Sequence, residues 1–273
     1  MALDEHTIDV GGVSVFYRRG PVAGDDILYL HSVPTSSDDW RELLELTGGV
    51  APDLPGFGRS DKGTGQDYSL SAYADFVGGF LDALELPEVT LVGHGWGAAT
   101  GLVFAQRHPD RVRRLAIVDA LPLLDGFTWP GMGRWWRRPP VGELLMGAVT
   151  RRILARLLRG GTVSPEAWSD ARIDEVWEQF DQGTQRAILR LHRSVDVDGL
   201  AAAGAELDEL HQPAVVVWGE QDPWLAPSFA DAYARRLGAA TVERVAGAGH
   251  WPWLDRPELV ARLAAFAAGD QPA

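Results

Sequence analysis

Cysteine is missing from all 273 residues, which excludes disulfides, thiolate metal sites and a cysteine nucleophile. Lysine is nearly missing too: Lys62 stands alone among the arginines. The chain carries 25 basic against 38 acidic side chains, a formal net charge of −13. Such a balance leaves no basic stripe for a phosphate backbone, so no nucleic-acid partner is expected. No stretch reaches the roughly 18–20 apolar residues of a membrane span. The opening Met-Ala-Leu-Asp-Glu-His is acidic and lacks the apolar centre of a signal peptide. A cytoplasmic protein with no membrane association is the expectation. What is abundant is ordinary: a hydrophobic share of 46% is that of a globular protein. The length suits one large domain, or a domain with an insertion.

Read in order, the chain alternates short apolar runs with helical patterns. Residues 6–19 predict two strands folded over Gly11-Gly12, with Val13, Val15 and Tyr17 alternating in the second. Residues 27–30 predict a buried strand ending at His31-Ser32-Val33-Pro34, after which Ser36-Ser37-Asp38 offer N-caps to a short helix through Leu46. A brief strand over 49–52 leads into a glycine-punctuated turn, and residues 69–86 predict an amphipathic helix closed by Pro87. Residues 89–92 are a run rich in β-branched side chains, and from 98 to 107 the apolar positions fall at helical spacing. Between them, Gly93-His94-Gly95-Trp96-Gly97 is the nucleophile-elbow pattern G-x-S-x-G with glycine where the attacking side chain belongs. A strand over 114–118 ends at Asp119. Then the rhythm stops: residues 122–210 hold helical patterns, five tryptophans and many arginines, but no convincing buried strand. It resumes with a strand over 214–218, Asp222 four residues on, a helix over 227–237, a strand over 241–245, the turn Gly247-Ala248-Gly249-His250 and a last helix over 257–268. Repeated alternation of this kind predicts an α/β fold with a parallel sheet covered on both faces.

Five stretches belong together. They are His31-Ser32-Val33-Pro34-Thr35-Ser36-Ser37, similar to H-G-x-P-T-S-S; residues 51–62, from Ala51-Pro52-Asp53 to Ser60-Asp61-Lys62; Val92-Gly93-His94-Gly95-Trp96-Gly97, similar to V-G-H-D-W-G; Trp218-Gly219-Glu220-Gln221-Asp222; and Gly249-His250. In this order they resemble the loops, nucleophile, acid and base motifs of the α/β-hydrolase fold, and within it the haloalkane dehalogenase and epoxide hydrolase branch. The resemblance covers nearly the whole chain outside 122–210. It implies a mostly parallel sheet flanked by helices, with residues 1–121 and 211–273 forming the hydrolase core and 122–210 a helical cap inserted in it.

His250, in a glycine turn after the last predicted strand, is the candidate general base. Asp222 would accept the other imidazole proton, fix the tautomer and stabilise the imidazolium. Asp119 is the reserve acid, at a strand end where some members of the family carry it. The backbone N–H groups of Trp96 and Val33 are the expected oxyanion hole. Expected substrate contacts are His31, Trp96, Trp129, Trp135, Trp136 and Trp251, and His94 is expected to be structural. In the dehalogenases that the chain resembles, the Trp after the nucleophile binds halide, commonly with an Asn at the place of Val33; valine offers no side-chain donor, which counts against dehalogenation. The similar epoxide hydrolases protonate their substrate with lid tyrosines, and no tyrosine occurs between Tyr73 and Tyr233, which counts against that reaction.

Gly95 is the anomaly. An elbow nucleophile sits in a positive-φ backbone that glycine enters at little cost, so glycine predicts strain relief of order 1–3 kcal/mol. It also predicts an empty space the size of a side chain beneath the oxyanion hole. Three explanations fit: a deliberate knockout made to trap a ligand, a natural enzyme with no covalent intermediate, or a retired enzyme that binds without turnover. The retained His–Asp pair argues that something still needs a base. That base serves either water attacking an ester, lactone or thioester, or proton abstraction from substrate, which would make the protein a lyase, isomerase, cyclase or cofactor-free oxygenase. The leading expectation is hydrolysis of an apolar small molecule (a C–X bond included, for the parent of a knockout) with no metal or organic cofactor. The rival is a non-catalytic ligand-binding protein on the same fold. Trp129, Trp135, Trp136, Trp168 and Trp177 suit an apolar or aromatic ligand. Arg134, Arg137, Arg138, Arg151, Arg152, Arg156 and Arg159 read either as solvated helix faces or as a dock for an acidic ligand or an acidic carrier protein.

Overall fold

Eight strands form one sheet in the computed structural model, which describes residues 3–22, 26–238 and 240–269; Met1, Ala2 and 270–273, the ends of the core read from the sequence, lie outside the described residues. The strands are β1 Asp4–Val10, β2 Val13–Arg19, β3 Ile27–Leu30, β4 Val50–Pro52, β5 Val89–His94, β6 Val112–Val118, β7 Ala214–Gly219 and β8 Ala240–Val245. Across the sheet they run β1-β2-β4-β3-β5-β6-β7-β8. β1 and β2 make a hairpin, and β2 lies antiparallel to β4; the pairs from β4 through β8 are parallel. The central strands β3, β5 and β7 are buried along their whole length. That is why they read as continuous apolar runs rather than as alternation.

Twelve helices accompany the sheet among the described residues: α1 Arg41–Thr47, α2 Leu70–Ala83, α3 Gly95–Arg107, α4 Gly131–Trp136, α5 Val141–Gly147, α6 Arg151–Gly160, α7 Asp170–Gln179, α8 Gln182–Ser194, α9 Val197–Ala203, α10 Ser228–Leu237, α11 Pro252–Asp255 and α12 Glu258–Ala268. α1 packs on α12, and α2 on α3. The expected helix over 69–86 is shorter at its C-terminal end. Ser69 Oγ accepts from the Ala72 N–H at 3.2 Å and starts it, but Glu85 takes φ 56° and stops it. The helix after the elbow begins at Gly95 itself, not at Ala98, because the bend serves as its first turn. α11 has no counterpart in the sequence reading.

Between β6 and β7 the chain leaves the sheet for six helices, α4 to α9. Side-chain oxygens cap several of them. Thr150 accepts from the Ile153 N–H at 3.4 Å, Asp181 from Thr184 at 2.9 Å and Asp196 from Gly199 at 2.8 Å. The helices turn Leu154, Leu158, Ile173, Ile188 and Leu191 inward, each at most 2% exposed.

Candidate active site

β5 ends at His94, and Gly95 turns the chain into α3 with φ 51°. The end of β3 and the residues after it crowd this bend. A Cβ at Gly97 would lie 2.3 Å from the Leu30 carbonyl oxygen and 2.4 Å from that of His31, so only glycine lets α3 pass the end of β3. A Cβ at Gly95 would lie 2.2 Å from Ser32 Oγ and 3.6 Å from His250 Nε2. The space expected beneath the oxyanion hole is therefore not empty: the Ser32 hydroxyl fills it. The Trp96 N–H donates to Ser32 Oγ at 3.1 Å.

Ser32 is held from behind. Its carbonyl accepts from His31 Nδ1 at 2.7 Å and from Thr35 Oγ1 at 3.0 Å. The other ring nitrogen of His31 accepts the Leu54 N–H at 2.8 Å. His31 is thus fully buried and spends both nitrogens on the backbone; burial pushes its pKa down, against a smaller opposing pull from Asp53. Expected as a substrate contact, it instead ties the loop after β3 to the loop after β4.

His250 follows β8 in its glycine turn. Its Nδ1–H donates to Asp222 Oδ2 at 2.7 Å, and its backbone N–H donates to the Gly161 carbonyl at 2.7 Å. Asp222 Oδ1 accepts from the Trp224 and Leu225 N–H groups at 2.8 and 3.1 Å, which fixes the carboxylate behind the ring. Asp119, at the end of β6, lies behind that pair with φ 41°. Its Oδ1 accepts the Gly219 N–H at 3.1 Å, and its buried Oδ2 has no donor. Burial, then the Asp222 charge, pushes the Asp119 pKa well above the usual carboxylate range. A retained proton explains the orphaned oxygen, since it turns that oxygen into a donor toward Asp222. Ligand atoms of Asp119, Asp222 and His250 lie within 4.8 Å of one another, the one metal-like grouping among the described residues. The 2.7 Å His250–Asp222 separation is a hydrogen bond's. Ligands at roughly 2.0–2.2 Å around a tetrahedral cation stand farther apart.

His94 donates its Nε2–H to the His250 carbonyl at 2.8 Å, and its ring lies 4.8 Å from that of Trp253. It is a buried brace, with its pKa pushed well below the ordinary value by burial.

Above the bend is a cavity of about 280 Å³. Trp96, Trp129, Trp136 and Trp251 line it, as expected. Trp135 does not: it is 48% exposed, with the Arg138 guanidinium 5.1 Å from its ring centroid. The cavity wall carries no Asp, Glu, Lys or Arg; Ser32, His192 and His250 are its hydroxyl and imidazole groups. Sequence reasoning missed Ser32, Trp224 and His192. Trp224 packs its ring 4.8 Å from that of His250. His192 sits among Trp96, Trp129 and Trp136 at 5.0–5.4 Å and donates Nδ1–H to the Ile188 carbonyl at 2.8 Å. For Ser32 a signal existed: it stands where H-G-x-P has glycine, while Gly95 stands where the elbow has a side chain. That the two positions touch was not in the sequence.

Of the seven arginines that made the cap segment basic, three face this chain's own acceptors. Arg137 donates to the His192 and Val195 carbonyls, Arg151 pairs with Asp174 at 2.5 Å, and Arg159 pairs with Asp170 at 3.0 Å.

Comparison with known proteins agrees with this fold. The family model described as alpha/beta hydrolase fold matches residues 27–257. A haloalkane dehalogenase of Mycolicibacterium paratuberculosis is 30% identical over 263 residues, covering 91% of this chain and 85% of that protein. A 2-hydroxymuconate semialdehyde hydrolase of a Pseudomonas species is 27% identical, covering 88% and 86%. The crystal structure of haloalkane dehalogenase DbeA from Bradyrhizobium elkani superposes with a TM-score of 0.85 at 28% identity, covering 98% of each chain.

Proposed function

The chain belongs to the α/β-hydrolase fold family, in the branch that holds haloalkane dehalogenases and epoxide hydrolases, and from that premise we propose that it hydrolyses an uncharged, apolar small molecule. One observation carries the reading: an imidazole hydrogen-bonded at 2.7 Å to a buried carboxylate, on the wall of an apolar cavity. In this reading His250 Nε2 takes a proton from the attacking group and returns it to the leaving group. Asp222 keeps Nδ1 protonated and stabilises the imidazolium as it forms. Trp96 and Val33 line the cavity, and in this reading their backbone N–H groups steady the negative charge that develops on the substrate oxygen, the Trp96 N–H exchanging its present acceptor, Ser32 Oγ, for it. Trp96, Trp129, Trp136 and Trp251 supply apolar contact, and the helices α4 to α9 act as the cap that keeps water out. The proton transfers run between His250 and the reactants, and the charge is met by backbone N–H groups, so the reading calls on no cofactor.

The test is turnover of p-nitrophenyl esters of graded acyl length, and of bromoalkanes by halide release, in wild type and His250→Ala. The expected result is a loss of at least ~10³-fold in kcat with KM changed only a few-fold. Equal turnover in the two proteins overturns the reading. So does unchanged ligand affinity with no turnover in either, which is the behaviour of a binding protein.

A further inference from the structure

We infer that Ser32 supplies the attacking oxygen, and that the substrate is an acyl compound (an ester, lactone or thioester). The inference rests on His250 acting as the base.

Sheet register explains how a residue far from the elbow reaches it. β3 and β5 are parallel neighbours in which Leu30 pairs with Gly93. Ser32 and Gly95 each stand two residues beyond that pair, so they leave the sheet side by side. The Ser32 Oγ lies 2.2 Å from the point where a Cβ on residue 95 would be, and His250 Nε2 lies 3.6 Å from the same point. An elbow serine would hold its own oxygen one bond length from that Cβ. The hydroxyl thus lies beside the attacker's position, on the same side of the bend as His250 Nε2, although its backbone arrives from a different strand. It lines the cavity with its residue only 2% exposed, and the Trp96 N–H already donates to it. Two hydrogen bonds to its carbonyl, from His31 and Thr35, keep it there.

The chemistry then narrows the substrate. Ser32 Oγ bonds to the carbonyl carbon, its proton passes to His250 Nε2, and the carbonyl π pair moves onto oxygen. Collapse of that intermediate breaks the bond to the leaving alcohol or thiol, which takes the proton from His250. Water next adds to the acyl-Ser32 carbon and gives a proton to His250. The bond to Oγ breaks, and Oγ recovers that proton, so one ester and one water become one acid and one alcohol. Attack by the same oxygen on a saturated carbon bearing a halide would leave an ether on Ser32, which this base and water do not cleave. A side chain that acts through an oxygen of this kind separates the chain from its dehalogenase relatives.

Three measurements test the inference: pre-steady-state release of p-nitrophenol, intact mass after treatment with an alkyl fluorophosphonate, and steady-state ester turnover in Ser32→Ala. Expected are a burst of one equivalent in wild type and a single phosphonate adduct that maps to Ser32. The adduct is absent in Ser32→Ala, whose kcat falls at least ~10³-fold with a near-normal KM. The Ser32→Gly/Gly95→Ser exchange puts the oxygen back on the bend, and the adduct moves to residue 95. His250-dependent turnover that survives in Ser32→Ala, or an adduct elsewhere in wild type, overturns the role of Ser32 and leaves His250 as a base acting on water. Absence of any ester turnover in wild type removes this inference, and only absence of halide release as well removes the broader hydrolytic reading with it.

Discussion

Two carboxyl groups meet behind His250, and their surroundings give them different work. Asp222 accepts three hydrogen bonds, from His250 Nδ1 and two backbone amides. Asp119 accepts one, from Gly219, and burial and the Asp222 charge push its pKa up, which favours a proton on its unpaired Oδ2. An amide at 119 keeps one acceptor and one donor and tolerates a positive φ. Asp119→Asn is therefore expected to hold kcat within a few-fold of wild type. Asp222→Asn turns an amide N–H toward the Nδ1–H, forces the wrong tautomer and is expected to cost about 10⁴-fold in kcat. Steady-state kinetics of the two variants on one ester check the assignment, and equal losses would refute it. At this scale the pairing of His250 with Asp222 was legible, because both sit in short stretches whose spacing to neighbouring strands is set locally. The departure at Ser32 was legible, but its contact with Gly95 was not, because that depends on the pairing of Leu30 with Gly93, some sixty positions apart. His31 and Trp135 were misassigned for a related reason. Residue type names a capability, but the direction of a side chain is settled by packing.

One element-level join ties the helical segment between β6 and β7 to the glycine turn that carries His250. Where α6 ends, the Gly161 carbonyl receives the His250 N–H at 2.7 Å. Asp255, at the end of α11, accepts from Val163 at 3.0 Å and Ser164 at 2.7 Å in the cap, and from Gly249 at 2.9 Å in the turn. Such bonds to an ionised acceptor are each worth about 1.5–3 kcal/mol and are not additive. Asp255→Ala is expected to lower unfolding stability by about 2–4 kcal/mol, with Asp255→Asn losing less. Ester kcat should also fall in Asp255→Ala, because the His250 backbone loses its buttress. Urea melts of the three proteins are the check; a change below about 1 kcal/mol in Asp255→Ala sinks the idea. The strand–helix rhythm made most elements legible, since period and caps are local properties. α11 was not: four residues are too few for a period, and Trp-Pro-Trp hides a helix whose first position is the proline.

Acid should weaken the whole molecule, because it keeps buried imidazoles neutral. Burial holds His192 down at about 4, against 6.5 for a free imidazole, and pushes His94 well below its ordinary value. Between these values the unfolded chain binds protons that the native one refuses, so their contribution is intact above pH ~6.5 and is lost as pH falls toward 4. Asp119 works in the other direction, because its native form keeps a proton that the unfolded chain gives up as pH rises. The comparison that isolates the imidazole is wild type against His192→Phe. Wild type is expected to lose on the order of 3 kcal/mol relative to the variant on going from neutral pH to pH 4. Parallel stability–pH curves for the two proteins would contradict this. At the scale of the molecule the architecture was the most legible feature, because the order of motifs mirrors the order of strand ends. The uncharged cavity was not. The cap segment reads as basic in sequence, yet Arg137, Arg151 and Arg159 face their own chain's acceptors.

The convergence of loops at one edge of the sheet has a consequence for how such a molecule changes over time. Where β3 and β5 end, a single atom's location is within reach of two backbones, so one address in space has two owners in the chain. A group can be given up by one loop and supplied by the next while both backbones stay where they are, through two substitutions that each alter only a small side chain. Descent with such a handover leaves the sheet and the base in place. On the reading that Ser32 attacks, the attacking oxygen changes backbones with no rebuilding of the scaffold between.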